Sequence, residues 1–353
     1  MAAEPDSPIR KRQPSSKIAA LLMIVARLYF LCLFGWIILR TLLGDHWWWL
    51  FLLNSFAVYL FLPLPAILVI ALLARKREVW IGFGAAMALG MYLYGGLFLP
   101  KLPRLRAGSP TLTVMTYNLL GYNENRESVT ATIRAANADV VALQELNSPI
   151  ALALRRELGD MFPYQMTEVQ IEGASPGVIS RYPLRPTAES LPGTWAGPPQ
   201  VLSLDYHGTR VTLLQAHTFA TGLGGGAAHL QWTVRERERQ ARAIVKFAAA
   251  HSEPLIVAAD LNAGDQTMAY AIVTGALADA WREAGWGFGH TFPGGTSPGL
   301  VGLFTGGVPI PMWLVRIDYV FHSRHWRATS ASIGPWDGVS DHRPVVAQLA
   351  LTR

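Results

Sequence analysis

Polar and apolar positions divide the chain at about residue 110. Before that point three long apolar stretches follow one another: Ile18–Leu39, Leu50–Ala74 and Val79–Leu99. Each has at least the ~18 residues that a bilayer-spanning helix needs. A buried helix of a soluble protein is the competing reading for each stretch, and three in succession with charged turns disfavour it. Arg27 interrupts the first. An arginine at a helix centre costs roughly 2.5–3.5 kcal/mol on insertion scales, which the surrounding leucines, phenylalanines and isoleucines offset unless the guanidinium snorkels. Trp47, Trp48 and Trp49 fall where an interfacial aromatic belt is expected, and Tyr92 and Tyr94 stand near the end of the third stretch. Pro63 and Pro65 predict a kink in the second, which membrane helices tolerate. A cleaved signal peptide is disfavoured, because the first stretch is too long and no small-residue cleavage site precedes the next.

Beyond Pro110 the period shortens. Apolar runs of strand length alternate with helical stretches, the mark of an α/β domain. Strands are predicted over Leu112–Asn118, Val140–Gln144, Gly177–Ser180, Val201–Tyr206, Val211–Gln215, Leu255–Ala259, Arg316–Phe321 and Val345–Leu349. Helices are predicted over Arg126–Ala138, Ile150–Leu158 and Thr233–Ala250; the alternating charges of the last predict a solvated face with a Glu238–Arg242 pair. The expected organisation is a disordered tail over residues 1–17, three transmembrane helices over 18–100, a linker over 101–110 and a globular domain over 111–353.

Charge refines this division. Residues 1–110 carry 12 Lys+Arg against 4 Asp+Glu, and residues 111–353 carry 18 against 20. The basic surplus therefore flanks the apolar stretches and does not cover the globular part, which argues for a membrane flank over a nucleic-acid surface. With the N-terminus inside, Arg10, Lys11, Arg12, Lys17, Arg75, Lys76 and Arg77 are cytoplasmic, against Arg40, Lys101, Arg104 and Arg106 outside. Seven against four predicts a multi-pass protein of the cell membrane whose C-terminal domain is extracytoplasmic. Cys32 is the sole cysteine, so no intrachain disulfide can form.

The globular strands end in polar residues. Asn118, Gln144 with Glu145, His217, Asp260 with Asn262, and Asp318 each close or follow an apolar run, and Ser340, Asp341 and His342 precede the last strand. Asp260 and Asn262 are two apart, which predicts that both leave one face of an extended chain. Each alone reads equally well as a turn residue meeting water. Where two sheets stack, however, strand ends along one edge meet, and these carboxylates, amides and imidazoles can share one cleft.

The set TYN, LQE, SRYP, QAH, ADLN, RIDYVF and SDHRPV, in this order over residues 111–353, resembles the endonuclease/exonuclease/phosphatase superfamily, as a membrane-anchored, bacterial-type member. RIDYVF with SDHRPV is specific as a pair. The family's usual Gly-Asp-Phe-Asn is Ala259-Asp260-Leu261-Asn262 here, which keeps both polar positions. The resemblance implies a four-layer sandwich, two packed β-sheets flanked by helices. Glu145 is a hard oxygen ligand suited to Mg²⁺ or Mn²⁺, and the resemblance adds Asn118 and Asp341 to the metal neighbourhood. It also implies His342 as the catalytic histidine oriented by Asp318, Asp260 as the residue that orients or deprotonates water, Asn262 on a phosphoryl oxygen, and His217 on the phosphate or leaving oxygen.

Other residues are read as supporting. Arg181 is expected to cap a turn, the reading favoured over support of the site, His207 to sit in one, and Arg316 to reach either a phosphate or a neighbouring acid. His290 and Pro293–Pro311 are expected to form a long loop beside the site that shapes substrate access, with Leu300, Val301, Leu303, Phe304, Ile310, Met312 and Trp313 touching lipid or, the favoured reading, packed on the domain.

The expected function is a membrane-tethered, divalent-metal-dependent phosphoesterase that hydrolyses a phosphate mono- or diester, lipid-linked or at the membrane surface. The bilayer and a phosphorylated substrate are the expected partners; no protein partner is expected. A membrane-anchored nuclease is the alternative, disfavoured by the slightly acidic globular part. A non-catalytic binding module is the third reading, and it ranks lowest because every expected polar position is filled.

Overall fold

The computed structural model describes residues 16–101, 109–294 and 311–352. The predicted tail up to residue 15, the linker residues 102–108 and the loop residues 295–310 lie outside these, and with them Arg10, Lys11, Arg12, Arg104, Arg106, Leu300, Val301, Leu303, Phe304 and Ile310. The chain forms two compact units. One holds Met1–Leu42 and Val58–Leu93; the other holds Leu43–Ala57 and Tyr94–Arg353.

Helix α1 (Ser16–Leu43) has 28 residues, about 42 Å of helix. Helix α2 (Trp48–Ser55) follows. A 3₁₀ turn over Ala57–Phe61 leads into α3 (Leu64–Ala74), and α4 runs over Arg77–Tyr94. Among the described residues, three helical segments are long and apolar enough to cross a membrane: Lys17–Leu43, Ala57–Ala74 and Arg77–Leu97. Pro65 lies in the first turn of α3, so the prolines break the second segment where a kink is expected. Arg27 donates to Glu78 at 2.8 Å; a partner on another helix, more than snorkelling, accommodates this charge. Ala26 and Val79 pack with Ile67, Ile70 and Ala71.

The second apolar segment begins at Ala57, seven residues later than the apolar run suggests. The reason is polar. Asn54, buried, donates to Asp45 at 2.6 Å and to the Gly44 carbonyl at 3.2 Å. Residues Leu43–Ala57 thus fold with the C-terminal unit, and Phe51 and Trp48 pack into its core.

That unit contains two mixed sheets of six strands. The strands are β1 (Thr111–Asn118), β2 (Val140–Leu146), β3 (Tyr164–Met166), β4 (Ser175–Ser180), β5 (Leu184–Pro186), β6 (Gly197–Tyr206), β7 (Thr209–His217), β8 (Leu255–Asp260), β9 (Ala278–Asp279), β10 (Asp318–His322), β11 (Trp326–Ile333) and β12 (Val345–Leu351). One sheet has the order β11-β12-β1-β2-β4-β3, the other β5-β6-β7-β8-β10-β9. At the centre of each, β1 with β2 and β7 with β8 run parallel. Helices α5 (Arg126–Ala136) and α6 (Ser148–Glu157) cover the first sheet through Val129, Ile133, Ile150 and Leu154; α7 (Gly226–Ala250) and α8 (Met268–Thr274) cover the second through Ile244, Phe247 and Val273. A short α9 (Ala280–Ala284) follows β9. The sheets face each other, and Gln215 Nε2 donates across to the Leu143 carbonyl at 3.1 Å. This is the four-layer sandwich.

Helix starts follow the local sequence. Asn125 accepts from the Ser128 amide and Asn147 from the Ile150 amide, each satisfying a first-turn donor. Helix α7 starts earlier than its charge pattern suggests, and that pattern is only partly solvated. Glu238 and Arg242 pair at 3.5 Å, but Glu236, Arg237 and Gln240 are buried. Arg237 lies 4.2 Å from the Phe51 ring centre and donates to the Phe219 carbonyl at 2.8 Å.

Candidate active site

Strand parity builds the site. Ala216, Ala259 and Tyr319 pack on the α7/α8 side, so their neighbours His217, Asp260 and Asp318 turn to the facing sheet. Register then aligns them, because Asp260 pairs with His217 on β7 and with Asp318 on β10. On the other sheet Tyr117 and Leu143 pack on the α5/α6 side, and Asn118 turns inward. Asn118 Nδ2 donates to Asp260 Oδ2 at 3.0 Å, which joins the two sheets at this end.

Glu145 breaks parity, since alternation from Leu143 would face it towards α5 and α6. The β2–β4 register shifts between Leu143 and Leu146, and Glu145 takes a left-handed backbone with φ 58°. A bulge of this kind re-aims one side chain. Its carboxylate accepts from Asn118 Nδ2 at 2.9 Å and from the Gly121 amide at 2.8 Å, and stands 3.8 Å from His217 Nε2.

The segment Asp337–His342 is tied down before it delivers its last two residues. Asp337 accepts from the Val339 and Ser340 amides and from Asn123 Nδ2. Ser340 Oγ donates to the Asn118 carbonyl at 2.7 Å and accepts from the His342 amide at 3.0 Å. His342 Nδ1 is 2.9 Å from Asp318 Oδ2. With Nδ1–H donating there, Nε2 faces the cleft, 3.8 Å from Asp260 and 3.9 Å from Asp341.

Asn262 reaches the cleft by a different route from the one its spacing suggests. The strand ends at Asp260, and Asn262 is in a turn with φ 46°. Its backbone amide donates to Asp260 Oδ1 at 2.8 Å and its Nδ2 to the Thr218 carbonyl at 3.1 Å. The left-handed turn, not an extended run, places it.

The electrostatics follow from burial among like charges. Burial raises Asp260, Asp318 adds to this, and the pKa is pushed up to about 6 although His342, His217 and Asn118 counteract. Burial also raises Asp341, with Glu145 contributing and His342 opposing. Burial alone would lower His342, but the carboxylates of Asp318, Asp260 and Asp341 outweigh it and hold the imidazole well above its usual value. Ligand atoms of Asp260, Asp318 and His342 lie within 4.8 Å of one another, close enough to share a metal ion. Glu145, Asp341 and Asn118 line the open cleft; the two carboxylates offer oxygen donors there, while Asn118 turns its Nδ2 to Glu145 and Asp260 and its Oδ1 accepts from the Leu120 amide.

All eight candidate residues thus meet at one end of the sandwich, while the supporting residues separate from them. Gln144 is buried and exchanges hydrogen bonds with Thr116 between the sheets. Arg316 is buried against Asp279 at 2.8 Å and over the Tyr319 ring at 4.5 Å, so the acid, and not a phosphate, is its partner. Arg181 donates to Asn137 at 2.6 Å. His207 has φ 50° in the turn between β6 and β7. His290 Nδ1 is 2.9 Å from the Trp313 carbonyl, and Trp313 packs edge-on against Trp336. Met312 is half exposed.

The cleft also has walls that strand ends could not announce. Phe51, Leu52, Ser55 and Phe56 line it, as do Ala220, Thr221, Gly222, Gly224, Gly225, His229, Phe292, Val315 and Ile317. A run of tryptophans and leucines next to a membrane span looks like part of the span; only the buried Asp45–Asn54 pair marks it as something else.

No curated protein matches the chain by sequence. In fold it is similar to sphingomyelinase C from Streptomyces griseocarneus, at 21% identity, TM-score 0.47, covering 68% of this chain and 99% of that one. It is similar to an endonuclease/exonuclease/phosphatase from Beutenbergia cavernae, at 23% identity, TM-score 0.50 and coverages of 68% and 72%. It is also similar to truncated Caenorhabditis elegans TDP2, at 17% identity, TM-score 0.52 and coverages of 68% and 98%. The Endonuclease/Exonuclease/phosphatase family matches residues 115–342, from the second half of β1 to His342. The chain therefore belongs to the endonuclease/exonuclease/phosphatase family.

Proposed function

We propose that this protein is a divalent-metal-dependent phosphoesterase held at a membrane by its three apolar helices, hydrolysing a phosphate mono- or diester at the membrane surface. The observation that carries the reading is the His342–Asp318 pair with Asp260 beside it, opposite Glu145 in one cleft.

Hydrolysis of a phosphoester needs charge neutralised on the phosphoryl oxygens, an activated water and an eased leaving group. His342, held protonated by its carboxylates, offers Nε2–H to a phosphoryl oxygen; Asp318 fixes its ring. Asp260, with a pKa near 6, is a base matched to neutral conditions, suited to orient a water and take its proton. His217 Nε2, 3.5 Å from Asp260, stands beside the same space and serves the phosphate or the leaving oxygen. Asn262, anchored to Asp260 and Thr218, presents its amide to the phosphoryl group.

Glu145, Asp341 and Asn118 fit a hard cation. Glu145 and Asp341 are oxygen donors on an open cleft that leaves room for retained waters, as Mg²⁺ or Mn²⁺ requires, and Asn118 steadies Glu145. Asp260, Asp318 and His342 fit one less well, since Asp318 is spent on His342 and does not line the cleft. Glu145 and Asp341 would hold a divalent ion, which would supply charge neutralisation and Lewis acidity towards a water.

The loop between the first and second spans belongs to the same unit as the site. Three crossings would put that loop and the C-terminal domain on one side of the bilayer, and the lysine and arginine count supports the outer side.

Phosphate release by the purified full-length protein tests the proposal, with Mg²⁺ or EDTA, on lipid phosphates, a phosphocholine lipid and plasmid DNA. Release is expected from a lipid, with loss of at least about 10²-fold in His342→Ala and full loss in EDTA. Cleavage of DNA alone would make the protein a tethered nuclease. Turnover that persists in both EDTA and His342→Ala would remove the proposed site.

A further inference from the structure

The cleft has a polar and an apolar lining, and part of the apolar lining comes from the segment between the first two apolar spans. Phe51, Leu52 and Phe56 line it together with Phe292, Val315 and Ile317, around a volume of about 510 Å³, and the Phe292 ring lies 5.0 Å from that of His342, so apolar surface adjoins the catalytic groups. That is several times what a phosphoryl group fills and falls in the usual range for small-molecule sites. Among the described residues that line it there is no lysine and no arginine. A polyanion such as a nucleic acid needs such cations along its backbone. A substrate with one phosphoester and a hydrocarbon chain matches both linings.

The wall is fixed in place. Asp45, 2% exposed, accepts from the Met268 amide at 2.6 Å. Gln231 accepts from the Trp48 amide and donates to the His46 carbonyl, both at 2.9 Å. Phe51 is held in the core beneath Arg237. Gly264 lies so close that a Cβ there would be 2.8 Å from the Ser55 carbonyl oxygen. Phe56, 37% exposed, is the large side chain left at the mouth.

We infer that α2 and Phe56 are the specificity-determining wall of the site, and that they select phosphoesters bearing a hydrocarbon chain. This rests on the function proposed above and adds the substrate class and the residues that read it. The phosphate sits among Asn118, Asp260 and His342, and the first carbons of the chain lie along Leu52, Phe56 and Ile317.

The test separates binding from turnover. Binding of butyl-, octyl- and dodecylphosphonate and of farnesyl phosphate to the full chain in nanodiscs is measured for wild type, Phe56→Ser, Leu52→Ser and the exposed control Trp286→Ser. All share one bilayer, so partitioning cancels between variants. Affinity in wild type is expected to rise with chain length, by at most about 4-fold for each methylene seated on the wall. The dodecyl-to-butyl ratio is expected to fall at least 10-fold in Phe56→Ser and in Leu52→Ser, and to hold in Trp286→Ser. Tighter binding of farnesyl phosphate than of dodecylphosphonate would point to an isoprenoid source; the reverse would point to a linear acyl lipid. A wild-type ratio no greater than that of the wall variants overturns the inference, even if Mg²⁺-dependent hydrolysis is found. Failure of hydrolysis on every substrate, with the chain-length ratio intact, would instead remove the proposed reaction and leave the wall.

Discussion

Asp318 has two carboxylate oxygens and commits one of them to His342. It is fully buried, and its place on β10 directly opposite Asp260 leaves it no access to the cleft. It therefore acts through the histidine. Asp318→Asn keeps the shape and removes the charge that fixes the imidazole. Its kcat is expected to fall at least about 10²-fold with little change in KM, as for other carboxylates that orient a catalytic histidine. An unchanged kcat at full expression and native melting temperature would show that His342 needs no such partner. Arg316 and Asp279 show the opposite case, a buried pair that supports the fold. Burial would raise the Asp279 carboxyl, but Arg316, the Tyr270 hydroxyl and the Trp281 amide outweigh it and hold it below the usual range. A depressed carboxylate adds stability above its unfolded pKa of about 3.9 and loses it as pH falls through the folded value. Asp279→Asn strands Arg316 and is expected to cost about 3–5 kcal/mol at neutral pH. Melting curves between pH 3 and 7 should show a shallower acid-side loss for the variant; parallel curves would mean that Asp279 does not titrate on unfolding.

At the scale of elements, the runs with a clean period were legible and the departures from period were not. The central strands β1, β2, β7, β8 and β12 and the helices α5, α6 and α7 follow their apolar spacing, because buried strands carry continuous apolar runs. Strands β3, β5 and β9 have two or three residues each, too few for a period. Strand β11, an edge, alternates through small residues such as Ala328, Ser330 and Ser332 that carry little signal. The site follows the same logic. His217, Asp260, Asp318 and Asn118 obey alternation and could be placed on an inner face from sequence. Glu145 and Asn262 owe their positions to positive φ at a bulge and at a turn, which a hydrophobicity pattern does not record. Their approach to the site was legible only through motif resemblance.

At the scale of the molecule, the apolar N-terminal third was legible as helices long and apolar enough to cross a membrane, but the separate place of the fifteen residues Leu43–Ala57 was not. Their tryptophans and leucines meet the same apolar demand whether lipid or a protein core supplies it. Topology makes a plain prediction. With Cys32 replaced by serine, Thr352→Cys is expected to react with an impermeant maleimide in intact cells, and Lys76→Cys only after permeabilisation. The reverse pattern would turn the protein over and move its chemistry to the cytoplasm.

One consequence of the buried Asp45 and Phe51 concerns the order in which the protein is made. Both residues leave the ribosome about two hundred residues before their partners, Phe51 before Arg237 and Asp45 before Met268. Until α7 and α8 arrive, a carboxylate and an aromatic ring wait without these contacts. Residues Leu43–Ala57 thus belong to the domain although apolar helices flank them in sequence, and exchanging this segment for that of another protein would remove Phe51 from the core behind the sheet that bears His217 and Asp260.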